Sequence, residues 1–132
     1  MSKTIEVKTN ELEGAALDWA VAKVEGWQVE ISPIGLYRDA STGRKTKATG
    51  YQLWMVSDVE PCECTPSSDW SQGGPLIDKH DVQILKFHGD TMAGIGDGIV
   101  DYYPGRTRLE AACRALVAAH LGDTVQIPSE LA

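Results

Sequence analysis

Hydrophobic residues alternate with polar ones near both ends of the chain. Residues 4–8 alternate β-branched with charged side chains, and Val125 and Ile127 flank a glutamine close to the carboxyl end. A period of two places the apolar side chains on one face of an extended chain. We therefore expect a short strand at each end of the sequence.

Two further stretches, 27–31 and 51–56, show the same alternation in the first half of the chain. This pattern is typical of half-buried strands, and the two stretches could pair with each other. Between them, residues 38–50 carry arginine, lysine, serine, threonine and glycine, with almost nothing apolar to bury. We therefore predict a mobile loop at 38–50.

Two stretches have apolar residues at helical spacing. The first runs from Asn10 to Gly26, with an asparagine and a glutamate that resemble a capping box at its start and a glycine at its end. The second follows Thr107, a predicted N-cap residue, and its apolar face carries Cys113 and Leu116. We predict two amphipathic helices, with Cys113 and Leu116 buried.

Prolines and glycines indicate irregular connections between these elements. Residues 57–75 contain several prolines and a double glycine, which argues against a long regular element. Stretches 82–87 and 99–103 resemble strands, and the glycine-rich segment 88–98 between them predicts a hairpin with a long loop. The predicted fold class is α+β, a mainly antiparallel sheet with two helices packed on one face and long irregular loops.

The composition is that of one globular domain spanning residues 1–132, with 42% hydrophobic and 23% charged residues. The formal net charge of −7 argues against non-specific binding to nucleic acid or to an anionic membrane. No stretch is apolar enough to span a membrane, and the first eight residues lack the apolar core of a signal peptide. We expect a cytoplasmic protein.

The candidates for metal binding and catalysis are weak. Cys62 and Cys64 are separated by one residue, whereas structural zinc sites usually separate their paired cysteines by two to four, and Cys113 lies on an apolar helix face. Three cysteines are also too few for a disulfide scaffold. Because no catalytic motif is present, we expect neither metal nor cofactor and a protein that is not an enzyme.

The segment 102–108 leads directly into the amino end of the second predicted helix. Unpaired backbone N–H groups and the positive end of the helix dipole lie there, so arginine at that position is unfavourable by about 0.3–1 kcal/mol unless an anion is nearby. Guanidinium groups bind phosphate in forked pairs, and aromatic faces stack on nucleobases. We therefore predict a site for a phosphorylated ligand formed by Arg106, Arg108, Arg114, Trp70, Tyr102 and Tyr103.

A structural interpretation of the same residues stays open. Arg114 lies four residues after Glu110, the spacing of an ion pair within a helix, and the two tyrosines could pack in the core. The segment 66–77, which contains Trp70, is either a wall of the ligand site or a tight loop whose tryptophan fills the base of the core.

Three motifs together resemble a known family. The motifs are ALDWAVAKVEG, SSDWSQGGPLI and TRLEAACRALVAAHLGDTVQIPSEL, which occur in this order and together span most of the chain, with variable sequence at residues 35–64. In order and spacing they resemble the NinX-like family of tailed phages and prophages of Gram-negative bacteria. The resemblance implies a phage accessory protein that is dispensable for building the virion, and it implies no particular activity or catalytic residue.

Two functions fit these observations best, and an enzyme that cleaves a nucleotide-type signal stays open as a third, weaker alternative for which no paired catalytic residues can be named. In the first, the protein binds a nucleotide-type immune signal of the infected host and sequesters it without turnover. In the second, it is an acidic inhibitor that blocks a host nuclease or regulator through an exposed patch. Self-association is expected with either function.

Overall fold

The computed structural model describes residues 3–33, 36–38, 45–47, 51–56, 62–95 and 102–131. The helices are α1 (Gly14–Glu25), α2 (Trp70–Lys79) and α3 (Arg108–Leu121). The strands are β1 (Thr4–Lys8), β2 (Val29–Pro33), β3 (Leu36–Arg38), β4 (Lys45–Lys47), β5 (Tyr51–Met55), β6 (Cys62–Glu63), β7 (Val82–Phe87), β8 (Asp90–Ile95), β9 (Tyr103–Gly105) and β10 (Thr124–Pro128). The predicted α+β class is confirmed.

Helix α3 lies at the centre of the protein and is buried along most of its length. It packs on α1, on α2 and on strands β7, β8 and β9. Cys113 and Leu116 are 4% and 1% exposed, as predicted, and Leu116 shares a core cluster with Leu17, Val21 and Ile127. Because neighbours surround α3, its buried residues extend beyond the single apolar face that the sequence predicted.

The strands form separate small antiparallel sheets in the described part of the chain, rather than the one sheet that we predicted. Their orders are β1-β10, β2-β5-β6, β3-β4 and β7-β8-β9. The physical reason is that α1 and α3 occupy the centre. Sheet β1-β10 covers both helices, β5 covers α1, and β7-β8-β9 covers α3.

The strand predictions at the two ends and in the first half are confirmed. β1 pairs with β10 along its whole length, so the two ends of the described chain are held together. β2 pairs with β5, with Ile31 opposite Leu53. The predicted mobile loop at 38–50 lies outside the described residues except for its first residue and strand β4.

Helix α2 contradicts the irregular connection predicted for 57–75. Asp69 is its N-cap and accepts a hydrogen bond from the Ser71 N–H at 2.9 Å, and Pro75 lies inside the helix. Proline removes one helical hydrogen bond, but the packing of α2 on α3 and β7 keeps the helix intact. The described chain therefore has three α-helices rather than two.

Gly73, the fourth residue of α2, lies where no larger residue fits. A Cβ atom at position 73 would lie 2.2 Å from the carbonyl oxygen of Pro66 and 2.9 Å from a methyl carbon of Leu109. Gly73 therefore allows a close approach of α2 to the preceding turn and to α3, whereas the sequence suggested a turn at the two glycines themselves.

The long glycine-rich loop predicted at 88–98 is also wrong in its first part. β7 and β8 are joined by a two-residue turn at His88 and Gly89, whose φ angles of 51° and 85° suit a tight hairpin. Residues 90–95 form β8 because Ala93 packs into the core beside Ala111 and Ala112. Residues 96–101 lie outside the described chain, and β9 begins at Tyr103.

The start of α1 differs from the prediction as well. A short 3-10 helix spans Thr9–Glu11, and α1 begins only at Gly14, whose φ of 57° turns the chain. Its N-cap residue, Glu13, makes no side-chain capping bond, so the predicted capping box with Asn10 does not form. The predicted stop at Gly26 is confirmed, with a φ of 73°.

Candidate ligand-binding cleft

The amino ends of all three α-helices line one open cleft of about 780 Å³. Gly14 and Ala15 come from the start of α1, Ser67 and Ser68 from the turn before α2, and Thr107 from the N-cap of α3. Helix amino ends present unpaired N–H groups and a partial positive charge. Their convergence brings backbone donors from three helices to one cavity, whose charged lining consists of Arg106, Arg108, Asp18, Glu63 and Glu110.

Among the described cationic side chains that line this cleft, Arg108 is the one without an acidic partner. Its side chain is exposed at the first residue of α3, and its guanidinium forms no hydrogen bond or ion pair with any other residue described here. A positively charged side chain near the amino end of a helix interacts unfavourably with the helix dipole. An anion bound in the cleft would remove this unfavourable interaction.

Arg106 also lines the cleft but already has acidic partners. Its Nη2 atom lies 2.8 Å from Glu110 Oε2 and 3.0 Å from Glu13 Oε2. Burial by itself would raise the pKa of Glu110, but hydrogen bonds from Arg106 and the charge of Arg114 outweigh burial and hold that pKa below its ordinary value. Because Arg106 is already paired with two carboxylates, its positive charge is less available to a ligand than that of Arg108.

Two exposed aromatic rings line the same cleft. Trp70, the first residue of α2, is 56% exposed, and Tyr51, the first residue of β5, is 41% exposed. Exposed aromatic faces beside cationic groups are the usual platform for stacking nucleobases. Tyr51 was not among the residues predicted from the sequence, because its alternating strand pattern indicated only a structural role.

The other predicted site residues lie outside this cleft. Arg114 is 8% exposed, and its guanidinium donates to the carbonyl oxygens of Leu12 at 2.8 Å and Pro104 at 2.9 Å. Its Nη1 atom lies 3.4 Å from Glu110 Oε1, the intrahelical pairing that the structural interpretation proposed. Arg114 thus connects α3 to the segments before α1 and at β9.

The two tyrosines likewise do not line the cleft. The hydroxyl of Tyr103 donates to Asp123 Oδ1 at 3.0 Å, and its ring packs on the core cluster that contains Ala111. Tyr102 is 37% exposed. Of the six predicted residues, the structure brings Arg106, Arg108 and Trp70 together.

Asp18 supplies a carboxylate to the cleft wall, which the sequence analysis overlooked. It lies on α1 and is only 3% exposed, and its Oδ1 atom accepts a hydrogen bond from the Ser67 N–H at 2.8 Å. Burial raises the pKa of Asp18 to about 6, in spite of the hydrogen bonds from Ser67. The signal in the sequence was an aspartate amid the apolar residues of a helix.

No disulfide bond joins the three cysteines, all of which lie in the described part of the chain. All three are free thiols, and burial raises the pKa of Cys64 and of Cys113 to about 12, so both are neutral at physiological pH. Within the described ranges, no group of three or more histidine, cysteine, aspartate or glutamate side chains could hold a metal ion.

The fold and the cleft define a small α+β protein whose three helix amino ends surround an open, partly cationic cavity. The chain belongs to the NinX family of bacteriophage P22, since the family model described as "Bacteriophage P22, NinX" matches residues 8–120. It is therefore a phage accessory protein. No curated protein matches the chain. Among the described helices, none is both long and apolar enough to cross a membrane.

Proposed function

We propose that this phage accessory protein binds a small phosphorylated ligand of the nucleotide type in the cleft and sequesters it without turnover. The observation that supports this function best is the position of Arg108 among three helix amino ends, where its guanidinium pairs with none of the described residues. In an infected cell the ligand would be a nucleotide immune signal of the host, and its removal would be the protein's contribution to infection.

The cleft has groups that can bind the phosphate of a nucleotide and groups that can stack on its base. Backbone N–H groups at helix amino ends and the forked donors of arginine bind phosphate oxygens. Trp70 and Tyr51 offer stacking faces, each worth about 1–3 kcal/mol for a nucleobase. A volume of about 780 Å³ lies within the usual range for small-molecule sites.

Calorimetric titration with cyclic dinucleotides and cyclic ADP-ribose isomers tests this function. We expect at least one of them to bind, and Arg108→Ala to weaken its binding about 10- to 100-fold, as for the loss of a charged hydrogen bond. Lys86→Ala, which removes an exposed cation on β7, is the matched control.

The unliganded Arg108→Ala protein should be as stable as the wild type, or slightly more stable, because the cation opposes the helix dipole. Failure of every nucleotide to bind, or wild-type affinity in Arg108→Ala, would overturn the proposed function.

A second candidate function, inhibition of a host nuclease or regulator, is favoured by a specific surface on β7. Phe87 is 62% exposed and Leu85 is 36% exposed, and alternate residues of a strand share one face. Exposed apolar pairs of this kind occur at protein interfaces, either with a host protein or with a second copy of the chain.

Phe87→Ser distinguishes this function from ligand binding. If the surface is an interface, the substitution should abolish co-purification of a host protein, or reduce the mass measured by sedimentation if the partner is a second copy. Arg108→Ala should affect neither. A Phe87→Ser protein with unchanged partners and unchanged mass would remove the support for the second function.

A further inference from the structure

Asp18 is a buried acid for which the described residues provide no cation. No arginine, lysine or histidine in the described part of the chain forms an ion pair with its carboxylate. The carboxylate of Glu63 repels the charged form of Asp18 and so raises its pKa further. Burying an acid without a counter-charge is unfavourable, so a purely structural role gives no reason for an acid here.

The structural work of Asp18 does not need a charge. Its carboxylate receives the peptide N–H and the hydroxyl of Ser67, which fixes the turn before α2 against α1. The carbonyl oxygen of an asparagine side chain can accept the same N–H bond. An ionised carboxylate has about four acceptor positions, so two remain after Ser67 is satisfied.

The position of Asp18 shows where these acceptors can be used. Asp18 lines the same cleft as Arg108 and Trp70, so one cavity contains a cation, an aromatic face and a buried acceptor. Phosphate alone would be repelled by a carboxylate, whereas a sugar hydroxyl would donate to it. Acidic side chains recognise ribose hydroxyls in this way in dinucleotide-binding folds.

We propose that Asp18 is a specificity-determining residue, whose carboxylate accepts hydrogen bonds from the ribose hydroxyls of a nucleotide held in the cleft. The ligand class is then a ribonucleotide with a free ribose diol, rather than a deoxynucleotide or a bare phosphate anion. This inference rests on the proposed function, because Arg108 must hold the phosphate end.

Titration calorimetry with three probes tests the inference. The probes are ADP, 2′,3′-dideoxyadenosine diphosphate, which lacks both ribose hydroxyls, and inorganic pyrophosphate, which keeps only the phosphate groups. We expect the wild type to bind ADP about 10- to 100-fold more tightly than the dideoxy compound, as expected for charged hydrogen bonds. Asp18→Asn should bind the two nucleotides equally and should bind pyrophosphate as the wild type does.

Each outcome identifies which proposal fails. If pyrophosphate binds in an Arg108-dependent manner but the wild type does not distinguish the two nucleotides, or Asp18→Asn keeps the preference, the role of Asp18 is overturned and the phosphate site stands. If none of the three probes binds, the role of Asp18 is overturned, and the proposed function is decided separately by the titration with cyclic nucleotides. The comparison of the two nucleotides on the wild-type protein requires no variant, so it decides the question even if Asp18→Asn does not fold.

Discussion

The carboxylate of Glu110 accepts a hydrogen bond from the backbone N–H of Arg106 at 3.0 Å. In a capping box, the glutamate would instead bond to the N–H of the N-cap residue, here Thr107. Thr107 does cap α3, by accepting from the Glu110 N–H at 3.1 Å. Glu110 thus bonds to the N–H one residue before the N-cap, because its carboxylate also pairs with the guanidinium groups of Arg106 and Arg114.

Replacement of Glu110 tests whether this network stabilises the fold. Glu110→Gln leaves Arg114 buried without its acidic partner, so we expect a loss of about 3 kcal/mol, the low end of the range for breaking a buried ion pair. Glu13→Gln is the control, since the Glu13–Arg106 pair is mostly exposed, so solvent screens it and its loss should change stability little. Urea unfolding of both variants provides the measurement, and equal losses would contradict the structural role of Glu110.

Leu116 and Leu121 lie on the same helix and differ in burial. Leu116 is 1% exposed in the central cluster, whereas Leu121 is 41% exposed at the end of α3. We expect Leu116→Ala to cost about 2–5 kcal/mol, because it removes core contacts and leaves a cavity. Leu121→Ala should cost less than about 1 kcal/mol. If thermal unfolding showed a loss below about 0.5 kcal/mol for Leu116→Ala, the placement of α3 would be wrong.

The adjacent glycines of α2 should respond in opposite directions to the same substitution. Gly73→Ala places a methyl group against the Pro66 carbonyl, so the helix must shift and the protein should lose stability. At Gly74 the new methyl would meet Trp70 at 3.5 Å, an ordinary contact. Gly74→Ala should therefore stabilise the protein by about 0.5–1 kcal/mol through the lower entropy of the unfolded chain. Chemical denaturation measures both, and stabilisation by Gly73→Ala would refute the close approach.

The raised pKa of Asp18 predicts that the free energy of unfolding decreases as the pH rises. Its pKa is 3.8 in the unfolded chain and about 6 in the folded protein, so the folded state holds the proton more tightly. The stability that this proton provides is complete below about pH 4 and is lost as the pH rises to about 6. The free energy of unfolding of Asp18→Asn, relative to the wild type, should therefore increase by up to about 3 kcal/mol between pH 4 and pH 7.

Asp78→Asn is the control for net charge, since Asp78 is exposed on α2. Denaturant titrations of the three proteins at both pH values measure the difference. A stability difference between Asp18→Asn and the wild type that is the same at pH 4 and pH 7 would show that Asp18 is not buried in its charged form.

Local patterns were sufficient for several parts of this protein. Alternation predicted β1, β10 and the pairing of β2 with β5, because a strand with one buried face needs a period of two. Helical spacing predicted α3 with its cap at Thr107, and it marked Cys113 and Leu116 correctly as buried, whereas His120 at the end of the same face is exposed. The three motifs identified the family, since their order along the chain depends on no tertiary contact.

Other features depend on partners that are distant in the sequence. A double glycine followed by a proline is locally typical of a turn, yet α2 forms there because Pro66 and Leu109 leave no room for a larger residue at position 73. Segment 90–95 appeared to belong to a loop, but α3 offers Ala93 a buried position, and burial outweighs the flexibility of the glycines around it.

The candidate site shows the same division between local and tertiary information. The sequence alone determined that arginines lie at the amino end of α3 and that an anion would be stabilised there. Only the tertiary structure decided that Arg108 and Asp18 line an open cleft. It also decided that the guanidinium of Arg114 donates to the carbonyl oxygens of Leu12 and Pro104. The reason is physical: a side chain's charge is a local property, whereas its burial and its partners depend on which distant segments fold against it.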